Sequence, residues 1–425
     1  MSPDMPPVMP PAMPPVMPPA MPPVMPFTLA RGEKRYFTGT HRTRTPEETL
    51  TAVAPLMEDI GVTEVVDLTP LDRLGIPCFA AMRPSRAWGS VQIHPGKGAD
   101  PLQARVSAMM EAVERFSAEY RADPMQIASY EEIGVARAVD PQDLILPRRL
   151  AMGEKVHWTE GWDLLNEEPV WVPANAVFYP YDSRGMVTPL FRPDPNGLGA
   201  GNTREEAILH GLLEVVERDA LSVATQANRL GKRLVLPEGG IARGLLDRCL
   251  AAGLAVHLWL VPGRTRVPVV AAAADDPVAR DPALLVTGSG AHTDPEIAAI
   301  RALTELANSR VIHFHGEGKN PGRQEMVQRI GYDRLKRVNR AWFAVAEEIP
   351  LGQVPGLATD TIDGDIRAVM RELEEQVPRI CICDLNRTGI PVVRVVVPGM
   401  EVSHLNVDRS RSAVAFSGGG LSERV

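Results

Sequence analysis

The chain has 425 residues, 44% hydrophobic and 23% charged, with a formal net charge of −8. This is the composition of a globular protein with room for a large core. Its acidic balance argues against nucleic acid or an anionic membrane as the main partner, while leaving a local anion site open. The 4 cysteines form no CxxC pair, which excludes a zinc ribbon and a thioredoxin-like centre.

Residues 1–26 repeat a Met-Pro-Pro unit. They lack a basic start and an unbroken apolar run, so they are neither a secretory signal nor a membrane helix, and polyproline II or disorder is expected. Residues 27–425 are expected to form one continuous α+β domain. Thr45-Pro46-Glu47-Glu48 reads as a helix start with proline in the first turn. "VTEVVDLTPLDRLGIPCFAAMRP" reads strand, turn, strand. "VHWTEGWDLLNEEPVWVPANAVFYP" alternates like a β-hairpin or meander. "LAVHLWLVP" and "RVPVVAAAAD" read as paired buried strands, and "ICIC" puts Cys381 and Cys383 on one face of another. His313 and His315, near a helix end, read as capping or packing residues. No stretch reaches about 18 uninterrupted apolar residues, so no membrane span is expected and a cytoplasmic location is.

One pattern occurs three times. "SAMMEAVERFSAEY" from Ser107, "HGLLEVVERDA" from His210 and "RALTELANSR" from Arg301 each follow a glycine-rich run: "GKGADPLQA", "GAGNTREEA" and "GAHTDPEIA". A fourth sign of duplication is the kernel Asp-Leu, turn, Gly-Ile-Pro, at Asp67–Pro77 and Asp384–Pro391. The repeat distances of about 100 residues are too long for a solenoid and suggest duplicated α/β units around a shared centre.

At 100° per residue, the first helix has an apolar stripe of Val106, Met109, Met110, Val113, Phe116 and Tyr120. Ser107, Glu111 and Glu114 share a separate arc, with Arg115 beside it. His210, Glu214 and Glu217, with Arg218, take the same arc in the second helix. Arg301, Glu305 and Asn308 take it in the third. Any one such arc reads as a solvated face laced with weak ion pairs. Three in one register point to convergence on an acidic cluster. Carboxylates about 4 Å apart repel by roughly 4 kcal/mol at an effective dielectric near 20, so the cluster needs cations. Hard carboxylate oxygens select Mg²⁺ or Ca²⁺. Arg115, Arg218, Arg301, Arg310 and Lys97, on or near these helices, would clamp an anion. Together with helix N-termini behind glycines, this describes a nucleoside triphosphate site. Neither GxxxxGK[ST] nor GxGxxG is present, so the site is of another kind.

"SxxxExxER" at Ser107–Arg115, "NGLGAGNTREEAILHGLLEVVERDA", "GAHTDPEIAAIRALTELANSR" and "GTHRTRTPEET" together resemble the YcaO family over about residues 31–410. The resemblance implies that family's own fold and ATP-dependent activation of a peptide backbone amide by O-phosphorylation. It implies Mg²⁺ ligation by Glu111 and Glu114, by Glu214 and Glu217, and by Glu305. Arg218 and Arg301 become phosphate contacts, and Ser107 and Asn202 lie near the nucleotide. Arg42 and Thr49 correspond to an early Lys and Ser in some relatives, a departure in both residues. Asn308 stands where glutamine is frequent. Lys97 either contacts phosphate or only shapes its loop.

The resemblance leaves three activities open. Azoline-forming members end in a proline-rich PxPxP segment, whereas this chain ends "SGGGLSERV". Its compact opening resembles stand-alone members that work with TfuA-type partners. The leading expectation is therefore thioamidation of a peptide or protein, such as a ribosomal peptide or the glycine thioamide of methyl-coenzyme M reductase. It implies ATP, Mg²⁺, a TfuA-like sulfur-delivery partner and a homodimer. The alternatives are azoline cyclodehydration and, from another class, a non-catalytic nucleotide-binding accessory factor.

Overall fold

The computed structural model describes residues 27–85, 90–120, 125–315 and 321–409. The Met-Pro-Pro repeat and the "SGGGLSERV" end lie outside the described residues. Three sheets carry the fold. The first is an antiparallel set of Glu64–Asp67, Cys78–Ser85 and Ser90–Lys97. The second runs, in spatial order, Val286–Ala291, Val269–Asp275, Ala255–Leu260, Lys232–Val235 and Glu348–Pro350, with only the last pair parallel. The third runs Gln126–Ala128, Val156–Asp163, Cys381–Asp384, Val392–Val396 and Leu198–Ala200. Glu168–Pro173 pairs with Val156–Asp163 as the expected hairpin.

Four helices matter for the site: α1 (Pro46–Val53), α2 (Pro101–Ala118), α3 (Arg204–Gln226) and α4 (Pro295–His315). Helix α1 starts as its sequence suggests, with a Thr45–Glu48 capping box and Pro46 in the first turn. Asp100 caps α2 by accepting from Gln103 N–H, and Thr203 caps α3 by accepting from Glu206 N–H. Among the described residues no helix is long and apolar enough to cross a membrane.

Each glycine-rich run is the end of a strand lying directly on the helix that follows it. The contact is closer than a side chain permits. A Cβ on Gly199 would meet the carbonyl oxygen of Ala207 at 2.2 Å, and one on Gly288 the carbonyl oxygen of Ala302 at 2.3 Å. Glycine is there for close approach of two backbones. The repeated motif is therefore a strand–loop–helix unit, and the same contact sets the height and rotation of each helix.

The apolar stripes face three cores. Met109 and Val113 of α2 pack with Trp158, Trp171, Cys381 and Cys383. Leu209, Leu212 and Val216 of α3 pack with Trp259, Ile366 and Ile382. Ile300, Leu303 and Ala307 of α4 pack with Ala272 and Ala274 of Val269–Asp275 and with Cys78 and Ala80. Cys381 and Cys383 share one core while Ile382 joins another, the face alternation expected of a buried strand.

One expectation is overturned. Arg310 does not join an anion clamp. It is fully buried, bonded through Nε to Asp72 at 2.7 Å and through Nη2 to Asp276 at 3.3 Å. It sits nine residues, two and a half turns, beyond Arg301 and so on the opposite face of the helix, where α4 is sealed against the first and second sheets, and both of its acceptors belong to loops on that side. His313, likewise, packs edge-on against Phe314 and lies 3.5 Å from Asp281.

Candidate active site

With the stripes buried in separate cores, the opposite arcs of α2, α3 and α4 turn towards one another. They line one cavity of about 360 Å³, within the range of small-molecule sites. Ser107, Glu111, Glu114 and Arg115 come from α2. His210, Glu214, Glu217 and Arg218 come from α3, and Arg301, Glu305 and Asn308 from α4. Arg42, Thr49, Lys97 and Asn202 complete the set expected from sequence, all on the same wall system.

Several of these charged groups pair with one of opposite sign. Glu111 accepts from Arg115 Nε at 2.9 Å and Nη2 at 2.7 Å. Glu217 accepts from Ser289 Oγ at 2.7 Å and Ala291 N–H at 3.1 Å, with Arg218 at 3.3 Å. Lys97 makes a close ion pair with Glu305. Burial opposes ionisation of Glu111, but the Arg115 guanidinium outweighs it and holds the carboxyl below its usual range. Burial also acts against Glu217, and Arg218 with Arg301 again prevails. Glu114 goes the other way. Burial, then the Glu111 charge, push it up to about 8, and burial also raises Glu214. Lys97 is pushed down to about 7 by burial and by Arg301. Burial and then Arg301 push His210 well below the usual imidazole range.

Among the described residues no three His, Cys, Asp or Glu side chains are gathered closely enough to enclose an ion. The carboxylates are spread around the wall, and this arrangement suits Mg²⁺, which is usually held by one or two carboxylates plus substrate phosphates. Donors aimed at an anion are present too. Arg115 Nη1, Arg218 Nε and Arg301 Nε are buried with no protein partner, as is the acceptor Asn308 Oδ1. Buried guanidinium N–H groups normally find acceptors, so this donor set fits a polyphosphate and the carboxylates fit its cations.

Sequence reasoning missed several members. Glu206, in the first turn of α3, accepts from Thr43 N–H at 2.5 Å, Thr43 Oγ at 2.6 Å, and Asn202 N–H and Nδ2 at 2.9 and 3.0 Å. It fixes Asn202 and the N-terminal loop on one anchor. Its signal was the second glutamate of "TREEA", which reads equally as a helix-dipole charge. Ser289, between two glycines, orients Glu217. Tyr36, Arg44 and Gln103 also line the cavity, and Gln103 Nε2 bonds Tyr36 Oη at 2.8 Å.

A fold of strand–helix units gathered around one acidic, arginine-lined cavity defines a class, and comparison gives it a name. Over residues 95–401 the chain matches the family described as YcaO cyclodehydratase, ATP- and Mg²⁺-binding. The chain belongs to the YcaO family. It is 45% identical over 371 residues to an uncharacterized protein of Methanothermobacter thermautotrophicus, covering 86% of this chain and 96% of that one. It is 32% identical over 404 residues to an uncharacterized protein in the tfuA 3′ region of Rhizobium leguminosarum bv. trifolii, covering 88% and 93%. Its fold matches YcaO from Methanopyrus kandleri bound with AMPPCP and Mg²⁺, with TM-score 0.75, 30% identity, and coverage of 92% and 99%. It also matches a heterocyclase in complex with substrate and cofactor, with TM-score 0.76 and 23% identity, covering 89% of this chain and 54% of that one, a likeness of fold.

Proposed function

We propose that this chain uses ATP and Mg²⁺ to activate a peptide backbone amide and that sulfide then replaces the amide oxygen, leaving a thioamide. The observation that carries the reading is the convergence of the three arcs on one cavity, with carboxylates and unsatisfied arginine donors side by side. When bound, Mg-ATP supplies an electrophilic phosphoryl group that converts the amide oxygen into a leaving group. Glu111 with Glu114, and Glu214 with Glu217, are assigned to the cations, joined by Glu305. Arg218 and Arg301 are assigned to phosphate oxygens, with Lys97 near enough to add a further positive charge. Arg42, Thr49, Ser107 and Asn202 are assigned to positioning the nucleotide. Glu114, whose carboxyl is pushed up to about 8 by burial and by Glu111, would hold a cation in its ionised form.

Thioamidation is preferred to azoline formation because a relative 32% identical lies in a tfuA 3′ region, which supports a TfuA-type sulfur-delivery partner. The experiment is mass spectrometry of a candidate peptide, with partner, ATP, Mg²⁺ and sulfide. The expected product has one oxygen exchanged for sulfur. Loss of water, abolished by replacing a Cys, Ser or Thr, would establish azoline formation instead. Unchanged peptide in the presence of tight Mg-ATP binding would favour the accessory role.

A further inference from the structure

The family match ends at residue 401, the described residues continue to Arg409, and this continuation is tied down at both ends. At its start, the N–H of Glu401 donates to Asp219 Oδ1 at 2.7 Å. That carboxylate also accepts from Arg264 Nε and Nη2 at 2.8 and 2.7 Å. The N–H of His404 donates to Ser222 Oγ at 3.0 Å, and Ser222 Oγ in turn donates to the carbonyl of Arg218 at 2.6 Å. Both anchors sit on α3, immediately after Glu217 and Arg218. The backbone then turns, with the N–H groups of Leu405 and Asn406 donating to the carbonyl of Val402. This turn places Leu405 in the cavity wall.

At its end, Arg409 is only 5% exposed. Its Nη1 donates to Asp194 Oδ2 at 2.7 Å and its Nη2 to the carbonyl of Leu144 at 2.7 Å. Its guanidinium carbon lies 3.7 Å from the centre of the Phe191 ring. Asp194 also faces Arg394, whose Nη2 is 3.6 Å from Oδ1. The next residue, Pro195, lines the cavity. Burying a guanidinium costs several kcal/mol unless its donors are satisfied. Here Nη1 is satisfied by Asp194, in the loop whose Pro195 forms another wall of the site, and the other donors by the carbonyls of Leu144 and Ile145.

We infer that Arg409 is a positioning residue: it holds residues 401–409 as a strap whose Leu405 closes the nucleotide cavity to water. The inference rests on the amide-activation reading and adds to it a device for coupling. Water that enters in place of the sulfur nucleophile converts ATP to ADP and inorganic phosphate and leaves the peptide unchanged. A loosened strap is therefore read as ATP consumed without product.

The test compares the full chain with Arg409→Gln, Arg409→Lys and Leu405→Ala. Two quantities are measured: phosphate released per peptide modified, and hydrogen exchange at the amides of Glu401 and His404, with and without Mg²⁺ and a non-hydrolysable ATP analogue. Losing a charge-assisted anchor corresponds to about ten-fold or more in a local opening equilibrium. Arg409→Gln is expected to speed exchange at both amides by that factor and to raise the phosphate-to-product ratio. Arg409→Lys, which keeps the charge, recovers part of both. Leu405→Ala leaves exchange unchanged but raises the ratio, since Leu405 is 39% exposed and carries none of the anchoring bonds. A wild-type ratio in both Arg409→Gln and Leu405→Ala overturns the proposal, as does unchanged exchange in Arg409→Gln. If the wild-type chain releases no peptide-dependent phosphate, amide activation is what fails. The exchange measurements then still decide whether Arg409 holds the strap, and whether the analogue slows opening only when it does.

Discussion

The hydroxyl of Thr49 lies 2.9 Å from the side-chain oxygen of Asn202, 153 residues further along the chain. The same hydroxyl lies 2.9 Å from the carbonyl of Thr45, so helix α1 is pinned through one side chain to the loop that opens α3. Asn202 is held from its other side by Glu206. Its amide is thus oriented before any ligand arrives.

Replacing Thr49 by Val keeps the shape and removes that bond. A net loss of about 1 kcal/mol is expected, equivalent to roughly five-fold in affinity if it falls on nucleotide positioning. Calorimetric titration with Mg-ATP checks this, with the melting temperature as control. Unchanged affinity would remove Thr49 from the nucleotide site.

Glu217→Gln preserves volume and removes a charge that Arg218 and Arg301 stabilise. Peptide-dependent ATP turnover is expected to fall at least ~100-fold, because cation-assisted phosphoryl transfer loses a ligand charge. Wild-type turnover in this variant would return the glutamate to a purely structural role with Ser289 and Ala291. Omitting Mg²⁺ should likewise weaken ATP binding in the wild-type chain. Equal affinity with and without the metal would sink the shared-cation reading.

Glu114 gives a pH dependence of definite sign. Its carboxyl is at about 8 in the folded chain, against about 4.3 when unfolded. Between those values the folded state holds a proton that the unfolded state has released, so ligand-free stability falls as pH rises through that window. Glu114→Gln should remove the trend contributed by this group. Thermal melts from about pH 5 to pH 9 should show the variant gaining on the wild type as pH rises. A constant difference across that range would contradict the raised carboxyl.

Arg310 provides the contrast. Arg310→Ala strands the buried carboxylate of Asp72 and leaves Asp276 to Arg73 and the Ala279 N–H, and a loss of about 3–5 kcal/mol of stability is expected. Nucleotide affinity of the folded fraction should be unchanged. A selective loss of affinity, with stability intact, would restore Arg310 to the anion clamp.

The parts of the site legible in the sequence are those written as a register. Glu111, Glu214 and Glu305 recur at fixed distances behind glycine runs, and helix geometry converts that repetition into convergence. The stripes and strands that pack them carry equally plain periodicities. Arg310 falls outside that register. It lies on the same helix as Arg301 but nine residues on, half a turn round at 100° per residue, and the tertiary placement of Asp72 and Asp276 supplies its partners there. Glu206 shows the opposite failure. Its four hydrogen bonds reach a loop some 160 residues earlier in the chain and one turn before its own helix, and no local pattern distinguishes it from an ordinary first-turn glutamate. Arg409 is equally silent in sequence, because its acceptors come from Leu144 and Asp194.

The cavity takes its wall from residues as early as Tyr36 and as late as Leu405. A ribosome making this chain from the N-terminus therefore releases α2, α3 and finally α4 before the last piece of wall has left the exit tunnel. A fragment that stops short of Leu405 lacks part of that wall. Nucleotide, once bound, bridges segments separated by most of the polypeptide. It acts as a late clasp on maturation, favouring finished molecules over every shorter intermediate.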